Sequence, residues 1–200
     1  MILLALDTCL GACAGAIVQD GKVLSRIVEP MQRGHQERIA TMTAGLLIAA
    51  ELSFTAIDRI AVTVGPGSFT GLRIGLAFAK GLGVALDRPC AGIGVLELLG
   101  RQAGGGTALA VLDARAGHVH CQAFRDGTPC GSAQTLALEQ ARGLAAPETL
   151  IGDGAPLLAD AFPKANQSLP QACDPVLVAI LGARDPCAPL DPVYMRAAYA

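Results

Sequence analysis

Two stretches of the chain carry the same turn residues at the same spacing. Residues 3–21 read LLALDTCLGACAGAIVQDG and residues 109–127 read LAVLDARAGHVHCQAFRDG, and they align without a gap so that Asp7 falls on Asp113. Each copy predicts an apolar strand that ends in Asp, a turn that contains glycine, a second strand and an Asp-Gly hairpin turn. Because the matches fall at turn positions, they favour an internal duplication over chance. The sequence therefore predicts two related lobes.

The spacer GRQAGGG at residues 100–106 precedes the second copy and predicts a boundary there, with one lobe over 1–103 and a smaller one over 107–200. After the opening strands, helices and strands alternate, which is typical of an α/β protein with mixed sheets flanked by helices. In the first lobe, helices are predicted at 36–52, 70–86 and 95–102 and strands at 59–64 and 90–94. In the second lobe, a helix is predicted at 136–144, a strand at 148–151 and short helices at 156–161 and 174–183.

Two unequal lobes that each open with a strand, an Asp and a glycine turn have the plan of the actin-like ATPase fold, which is built from ribonuclease H-like units. In such folds the paired turns approach a nucleotide's phosphates from two sides. The candidate residues for such turns are Asp7, Thr8, Asp113 and Arg115. The two carboxylates either order a magnesium ion and water, or end strands and cap turns through local hydrogen bonds. Composition alone favours the local role.

The balance of residue types limits the partners of the chain. It is 52% hydrophobic and 16% charged, with a net charge of -2 and a pI near 5.9, so it lacks the basic field that holds nucleic acid directly. The N-terminal MILLALDTCLG has no basic leader, and its apolar run breaks at Asp7, too early for a signal peptide or a membrane span. We therefore expect a cytoplasmic location, no membrane association and reduced cysteines.

Metal-ligating residue types come together in the sequence at His118, His120 and Cys121. On a strand the two histidines share one face while the cysteine points to the other, so we predict strand residues rather than a metal site. Cys9 and Cys13 are separated by three residues, and the second close pair that a zinc ribbon needs is absent from the sequence.

The glycine-rich stretch GPGSFTGLRIG at residues 65–75 is the candidate phosphate loop. It lacks the lysine of a Walker A motif, and Gly67 and Gly71 are separated by three residues where a dinucleotide fingerprint has two. Pro66 also removes one amide from any anion-binding nest. The stretch therefore predicts a tight turn from a strand into a helix rather than a phosphate cradle.

The two longest predicted helices are apolar on nearly every face. The second has a ridge without large side chains, formed by Gly71, Gly75, Ala79 and Gly83. The first has an apolar seam, formed by Ile39, Met42, Leu46 and Leu47. Only Arg73 and Lys80 mark a polar stripe on the second helix, and Glu37 is the candidate acidic neighbour of Arg73. Such helices indicate either ordinary core packing, which the pattern alone favours, or docking onto a partner through the ridge and seam.

Five motifs, LALDTC, GHQERI, GPGSFTGLRIG, LDARAGHVH and PVYMR, closely resemble in order and over nearly the full length the bacterial TsaB (YeaZ) family. The resemblance implies the duplicated actin-like fold and a non-catalytic scaffold subunit that activates the catalytic paralogue TsaD. It also implies that the ATPase TsaE joins this assembly, which forms N6-threonylcarbamoyladenosine at position 37 of tRNAs reading ANN codons. The tRNA is then contacted only through the complex.

The same resemblance implies that the first-lobe helices form the pairing surface. The implied partner-binding residues are His35, Glu37, Arg38, Ile39, Met42, Leu46, Gly71, Arg73, Gly75, Phe78, Ala79 and Leu82. Without the partner, the same surface would support a homodimer. We expect no cofactor on the chain alone, with ATP or ADP left open as a ligand of the boundary with the partner.

The resemblance also separates this chain from its catalytic paralogue, which binds a metal through two histidines four residues apart on one helix. Here Ile39 stands four residues after His35, so His35 is predicted to begin a helix and not to bind metal. We therefore expect no metal, no catalytic residues and no metalloprotease activity. The competing hypothesis is an autonomous ATP-dependent small-molecule kinase or ATPase that uses Asp7 and Asp113, with GDGAP at 152–156 as an adenosine-motif remnant.

Overall fold

The computed structural model describes residues 1–185 and 188–195, so the PVYMR motif at 192–196 ends outside the described residues. The described chain forms two compact units. The first contains Met1–Val95 and Gln171–Val193, and the second contains Leu96–Pro170 with residues 194–195. The predicted boundaries, 1–103 and 107–200, are therefore corrected in two places. Residues 96–103 belong to the second unit, and residues 171–193 belong to the first.

The elements alternate as the sequence predicts. In chain order, the strands of the described residues are β1 (Ile2–Asp7), β2 (Ala12–Gln19), β3 (Lys22–Pro30), β4 (Arg59–Thr63), β5 (Cys90–Ile93), β6 (Thr107–Arg115), β7 (His118–Arg125), β8 (Thr128–Pro129), β9 (Gln134–Ala137), β10 (Thr149–Ile151) and β11 (Asn166–Ser168). The helices are α1 (His35–Ala49), α2 (Phe69–Leu86), α3 (Val95–Gln102), α4 (Leu138–Arg142) and α5 (Pro175–Arg184), with short 3-10 turns at Phe54–Ala56 and Ala155–Leu158.

The sheet of the first unit has the order β3-β2-β1-β4-β5. β1, β2 and β3 are antiparallel neighbours, whereas β1, β4 and β5 run parallel. The hairpin after β2 turns through Asp20 and Gly21, both with positive φ, and the second unit repeats it at Asp126 and Gly127. Parallel neighbours need a crossover connection, which α1 and α2 supply. The predicted mixed sheet and the duplicated hairpin are both confirmed.

One face of this sheet is covered by α1 and α2. Gly15, Leu6 and Val62 lie in one cross-strand row. A Cβ atom added at Gly15 would lie 2.9 Å from Leu46 Cδ1, and one added at Gly75 would lie 3.5 Å from Val62 Cγ2. The seam of α1 and the ridge of α2 are therefore turned toward their own sheet, because small residues at the contact let the helices approach it.

The other face is covered by α5, from the C-terminal segment of the chain. The neighbouring cross-strand row consists of alanines only, Ala16, Ala5, Ala61 and Ala91. A Cβ atom added at Gly182 of α5 would lie 2.4 Å from Ala61 Cβ, so the alanine row is what admits the helix. The helix predicted at 174–183 is confirmed, but it belongs to the first unit because this face would otherwise be uncovered.

The second unit repeats the sheet plan with the order β11-β10-β6-β7-β8, and β9 also pairs with β7. β6 and β7 are antiparallel, while β6, β10 and β11 run parallel. On one face, α4 and the 3-10 turn pack on a core that includes Leu109, Val111 and Leu150. On the other, a Cβ atom at Gly100 of α3 would lie 2.3 Å from the Phe124 ring. This contact explains why α3 belongs to the second unit.

Local differences from the predicted elements are concentrated in the second unit. The helix predicted at 136–144 begins as strand β9 and only then becomes α4, because β9 pairs with β7. The short helix predicted at 156–161 is a 3-10 turn, and β11 was not predicted. In the first unit, α1 begins at His35 as predicted but ends at Ala49 rather than at 52.

Among the described residues, α2 is the one helix that is long and apolar enough to cross a membrane. This statement concerns length and composition alone. The core helix of a soluble protein can have the same length and composition. In the structure, Gly75, Ala79 and Gly83 of this helix are buried within the first unit.

Candidate functional site

The turn after β1 is built around a fully buried carboxylate. Asp7 Oδ1 accepts hydrogen bonds from Cys9 N at 3.0 Å and Thr63 Oγ1 at 2.8 Å, and Oδ2 accepts one from Cys173 N at 2.8 Å. Burial raises the pKa of the Asp7 carboxyl, while these hydrogen bonds and the nearby His35 act in the opposite direction. The carboxylate is thus held by donors from three parts of the first unit.

The equivalent aspartate of the second unit, Asp113, keeps the hydrogen bond from the backbone two residues later but lacks the buried donors that Asp7 has. Asp113 Oδ1 accepts from Arg115 N at 2.8 Å, which reproduces the bond from Cys9 N to Asp7. Asp113 Oδ2 pairs at 3.0 Å with the guanidinium of Arg115, a side chain that is 87% exposed, and Asp113 N donates to Asp153 Oδ1. Both turns therefore show the local hydrogen bonding that the sequence favoured. Their role toward a nucleotide stays a prediction, as does that of Thr8.

The glycine loop after β4 packs on the β1–β2 turn. A Cβ atom at Gly67 would lie 2.4 Å from Cys9 O, and one at Gly71 would lie 1.9 Å from Thr8 O. Ser68 N donates to Cys9 O at 2.8 Å, and Ser68 Oγ caps α2 by accepting from Gly71 N. The predicted tight turn from β4 into α2 is confirmed, with Gly65 at positive φ. The structure adds that Gly67 and Gly71 allow two backbones to approach closely.

GDGAP makes the corresponding contact in the second unit. It follows β10, the parallel neighbour of β6, as the glycine loop follows β4, the parallel neighbour of β1. A Cβ atom at Gly152 would lie 2.2 Å from Val111 O, and one at Gly154 would lie 2.9 Å from Leu112 C. Close packing against the end of the first strand accounts for these glycines.

Most of the predicted partner-binding residues are buried inside the first unit. His35, Ile39, Met42, Leu46, Gly71, Gly75 and Ala79 are all buried there. Arg38, Phe78 and Leu82 are half-buried, whereas Glu37 and Arg73 are exposed. The prediction that the ridge and the seam bind a partner is corrected. Both contact β1, β2 and β4 of their own unit, so they have no surface left for a partner. The pairing of Arg73 with Glu37 stays a prediction.

A different face of α2 is exposed, and it carries apolar side chains together with the predicted polar stripe of Arg73 and Lys80. We define the outer seam of α2 as Phe69, Arg73, Ala77, Lys80 and Val84, which are spaced three or four residues apart and all exposed. Phe69 is 55% exposed and Val84 85%, and on α1 Ile48 is 76% exposed. The guanidinium of Arg73 lies 3.8 Å from the centroid of the Phe69 ring. The polar stripe of Arg73 and Lys80 was the signal in the sequence for this exposed face, and helical spacing groups Phe69, Ala77 and Val84 with it.

Two ion pairs fix the surroundings of α1. Arg38 donates from Nε and Nη2 to both carboxylate oxygens of Glu29 on β3, and this contact holds the pKa of Glu29 below its usual range. Arg26 on the same strand pairs with Asp174 at the start of α5. Arg38, predicted to bind a partner, is thus engaged within its own unit.

The cluster of His118, His120 and Cys121 lies on β7 with the predicted alternation. Cys121 is buried in the core, while His120 Nδ1 contacts Thr135 Oγ1 at 2.8 Å on the opposite face. Burial lowers the pKa of His120. Within the described residues, no three His, Cys, Asp or Glu side chains converge in a way that could hold a metal ion.

The fold and the turns define a class of protein. Two mixed sheets with the same strand plan, each with a glycine loop packed on its first strand or on the turn that follows it, are those of a duplicated ribonuclease H-like protein of the actin-like ATPase superfamily. Comparison with known proteins narrows the class. A family model described as TsaD, tRNA N6-adenosine threonylcarbamoyltransferase, matches residues 22–171.

Individual relatives and solved structures carry the names TsaB and YeaZ. The chain is 38% identical over 124 residues to the tRNA threonylcarbamoyladenosine biosynthesis protein TsaB of Escherichia coli K12, covering 60% of this chain but only 53% of that protein. It is 37% identical over 199 residues to an uncharacterised protein of Mycobacterium tuberculosis H37Rv, covering 97% and 91%. A Pseudomonas aeruginosa crystal structure, described as similar to the peptidase YeaZ, matches with 30% identity and a TM-score of 0.82 over 98% and 99%. The chain belongs to the TsaB (YeaZ) family.

Proposed function

We propose that this protein takes part in the biosynthesis of tRNA threonylcarbamoyladenosine, as a non-catalytic scaffold that binds and activates a TsaD-like catalytic subunit. The name of the E. coli relative and the family model support the pathway. The observation that carries the scaffold role is the outer seam of α2, an exposed face with large apolar side chains at both ends of the helix.

The outer seam has the chemistry of a protein interface. Phe69 and Arg73 belong to the residue types, aromatic and arginine, that are enriched at interfaces. Ile48 adds exposed apolar surface on the neighbouring helix α1. Isolated exposed apolar residues are common on proteins, but a stripe that runs along a whole helix is typical of helix docking. We infer that the catalytic partner covers this face, and that in its absence a second copy of the chain does so.

The chemistry of the first unit supports a helper role rather than catalysis. Where the resemblance implies a two-histidine metal site in the paralogue, Ile39 is packed in the core of the first unit. Asp7 is occupied by three donors from its own unit. ATP or ADP at the boundary with the partner, the addition of a TsaE-like ATPase and contact with tRNA through the complex are parts of the same proposal.

The docking surface is tested by mixing the purified chain with a TsaD-like paralogue and measuring affinity. We expect Val84→Glu and Ala77→Glu each to weaken pairing by at least about tenfold, because an unpaired carboxylate would be buried in the interface. Leu169→Glu is the matched control, since Leu169 is 56% exposed but lies in the second unit. Substitutions at Ile39 or Ala79 would not serve, because both residues are buried in the core and their variants would fail to fold.

The outcome can contradict the assignment in two ways. If both seam variants are folded and pair as tightly as the unchanged chain, the outer seam is not the interface. If Leu169→Glu weakens pairing as much as they do, the effect reflects added negative charge and not the surface. Sedimentation of the chain alone, with and without Val84→Glu, tests whether the same face makes the homodimer.

A further inference from the structure

The charged residues of the outer seam of α2 have one sign. Arg73 and Lys80 are its charged members, both are exposed, and the sequence of α2 contains no Asp or Glu. A separation of seven residues brings the two cations to the same side of the helix, about 10 Å apart along its axis. The chain as a whole has more acidic than basic residues and a net charge of -2. The seam is therefore a positively charged face on an acidic protein.

The apolar members of the seam lie at its ends and in its middle. Phe69 begins the seam and Val84 ends it, while Ala77, its smallest residue, lies between the two cations. The guanidinium carbon of Arg73 lies 3.8 Å from the centroid of the Phe69 ring, so this stacking holds the charge of Arg73 on the seam. A helix that covers the seam approaches closest at Ala77, because a small residue lets two helix axes come near each other. One cation then lies on each side of the point of closest approach.

The surroundings of the seam do not cancel these charges. Past the end of the seam, Asp87 and Arg88 line a groove of about 610 Å³ and have opposite charges. Beside the beginning of α2, Arg33 and Glu37 line a cavity to which the seam residues do not contribute, and they too have opposite charges. Each of these neighbouring pairs is balanced, so the excess of positive charge belongs to the seam.

A second copy of the chain is a poor electrostatic match for this seam. Homodimers have two-fold symmetry. If the axis is perpendicular to two helices that meet at Ala77, Arg73 lies about 6 Å from the centre and Lys80 of the second copy about 4.5 Å from it, on the same side. If the axis runs along the helices, each cation meets its own equivalent. Both arrangements place cation beside cation, and like charges across an interface disfavour association.

We propose that the outer seam selects a partner helix that has carboxylates opposite Arg73 and Lys80, and that the same two cations weaken self-association. Because the seam is the docking surface of the proposed function, this inference rests on that function and adds the chemistry that chooses between two occupants. The partner presents an apolar helix face with two acidic side chains about two turns apart. Phe69 and Val84 contact either occupant, whereas Arg73 and Lys80 determine which one binds more tightly.

The unchanged chain provides the first test. Self-association is measured by sedimentation, and binding to a purified TsaD-like paralogue by calorimetry, each at low and at high sodium chloride concentration. Salt screens attraction and repulsion alike, so we expect high salt to weaken binding to the paralogue and to strengthen the homodimer. A salt dependence of the same direction for both equilibria overturns the proposal.

Charge reversals test the two residues directly. In the two-fold dimer Lys80→Glu places a carboxylate beside Arg73 twice, so we expect the homodimer to tighten about tenfold and binding to the paralogue to weaken about tenfold. Arg73→Glu combined with Lys80→Glu makes the facing charges alike again, and should return the homodimer to the affinity of the unchanged chain. Lys164→Glu, at an exposed position in the second unit, is the matched control and should change neither equilibrium. A homodimer that Lys80→Glu does not tighten, or that Lys164→Glu tightens equally, overturns the proposal.

An uncharged substitution separates failure of this inference from failure of the proposed function. Val84→Ser removes exposed apolar surface without changing charge and is expected to weaken both equilibria about fivefold. If neither Val84→Ser nor Lys80→Glu changes either equilibrium, the seam is not a docking surface and both proposals fail. If Val84→Ser weakens both equilibria but Lys80→Glu does not tighten the homodimer, the docking surface stands and selection by charge is wrong.

Discussion

The two repeats carry an aspartate at the same position of their first hairpin, but only one of these carboxylates is enclosed. β1 ends at Asp7, whereas β6 continues past Asp113 to Arg115. Asp7 and Asp113 each accept a hydrogen bond from the backbone two residues later. Asp7 then gains two buried donors, Thr63 Oγ1 and Cys173 N, whereas the side chain of Asp113 is 25% exposed and pairs with an exposed arginine. The difference comes from the C-terminal segment, which returns to the first unit and supplies Cys173.

The comparison separates what duplication preserves from what packing adds. The Asx turn, the Asp-Gly hairpin and the glycine loop are local features, so each copy carries its own. The burial of the carboxylate depends on which part of the chain covers the sheet. In the first unit the sheet is covered by α5, so the turn that holds Asp7 is buried in the core. We therefore expect the two turns to respond differently to the same changes.

The largest expected difference is between Asp7→Ala and Asp113→Ala. Removing the Asp7 carboxylate leaves two buried amides and a buried hydroxyl without an acceptor, so the free energy of unfolding should fall by about 3–5 kcal/mol. Removing Asp113 loses one turn contact and an exposed ion pair, which is worth less than about 1 kcal/mol. Urea unfolding of the full chain, monitored separately on amides of each unit, measures both. Similar losses at the two positions would mean that burial does not distinguish the turns.

The glycines that approach the turns should be needed in both units. Gly71→Ala places Cβ 1.9 Å from Thr8 O and is expected to destabilise the first unit by about 3 kcal/mol, while Gly154→Ala, with contacts of 2.7–3.0 Å, should cost the second unit about 2 kcal/mol. Gly81 is the matched control on α2, since a Cβ there has nothing within 4 Å. Gly81→Ala should stabilise the chain by about 0.5–1 kcal/mol. A neutral Gly71→Ala would remove the proposed reason for the glycine loop.

A smaller effect concerns the protonation of Asp7. Because burial raises the folded-state pKa above its ordinary value of 3.8, the folded state binds the proton more tightly than the unfolded state. The part of the stability that comes from proton binding by Asp7 is then fully present below pH 3.8 and is lost as pH rises through the folded pKa. We compare the unchanged chain with Asp7→Asn, which cannot titrate, by urea unfolding across this pH range.

The sign of this pH dependence decides which influence on Asp7 is stronger. Relative to Asp7→Asn, the unchanged chain should gain stability as the pH falls. The opposite slope would show that the three hydrogen bonds outweigh burial and hold the carboxylate charged. Asp113→Asn, measured in the same series, reports how much of any slope belongs to a turn carboxylate that is not enclosed.

The fold was predictable to the extent that it rests on local features. The repeat, the hairpins at Asp20 and Asp126, and the starts of α1 and α2 all follow from turn residues and periodicity within a few positions of each other. The assignment of α5 to the first unit was missed, although the four alanines of one cross-strand row could have indicated a closely packed cover. That row becomes visible only when the register of β1, β2, β4 and β5 is known.

A docking surface on α2 was predicted, but most of the residues predicted for it differ from those of the exposed outer seam. Helix α2 is apolar on nearly every side, and the one contrast in its sequence, the polar stripe of Arg73 and Lys80, lies on its exposed face. The glycine ridge could approach either a partner or the chain's own sheet; the pattern alone favoured core packing, whereas the family resemblance implied a partner. In the structure Gly71 and Gly75 lie against Thr8, which turns Phe69, Ala77 and Val84 outward.

The sequence by itself determined the duplication, the strand and turn plan and the family, because these depend on side chains close together in the chain or on motifs of fixed order. Only the tertiary structure decided which face of α2 is free, which unit receives α5 and that Asp7 is enclosed while Asp113 is not. Those outcomes depend on contacts between residues far apart in sequence, where steric fit between backbones selects among arrangements that hydrophobicity alone leaves equal.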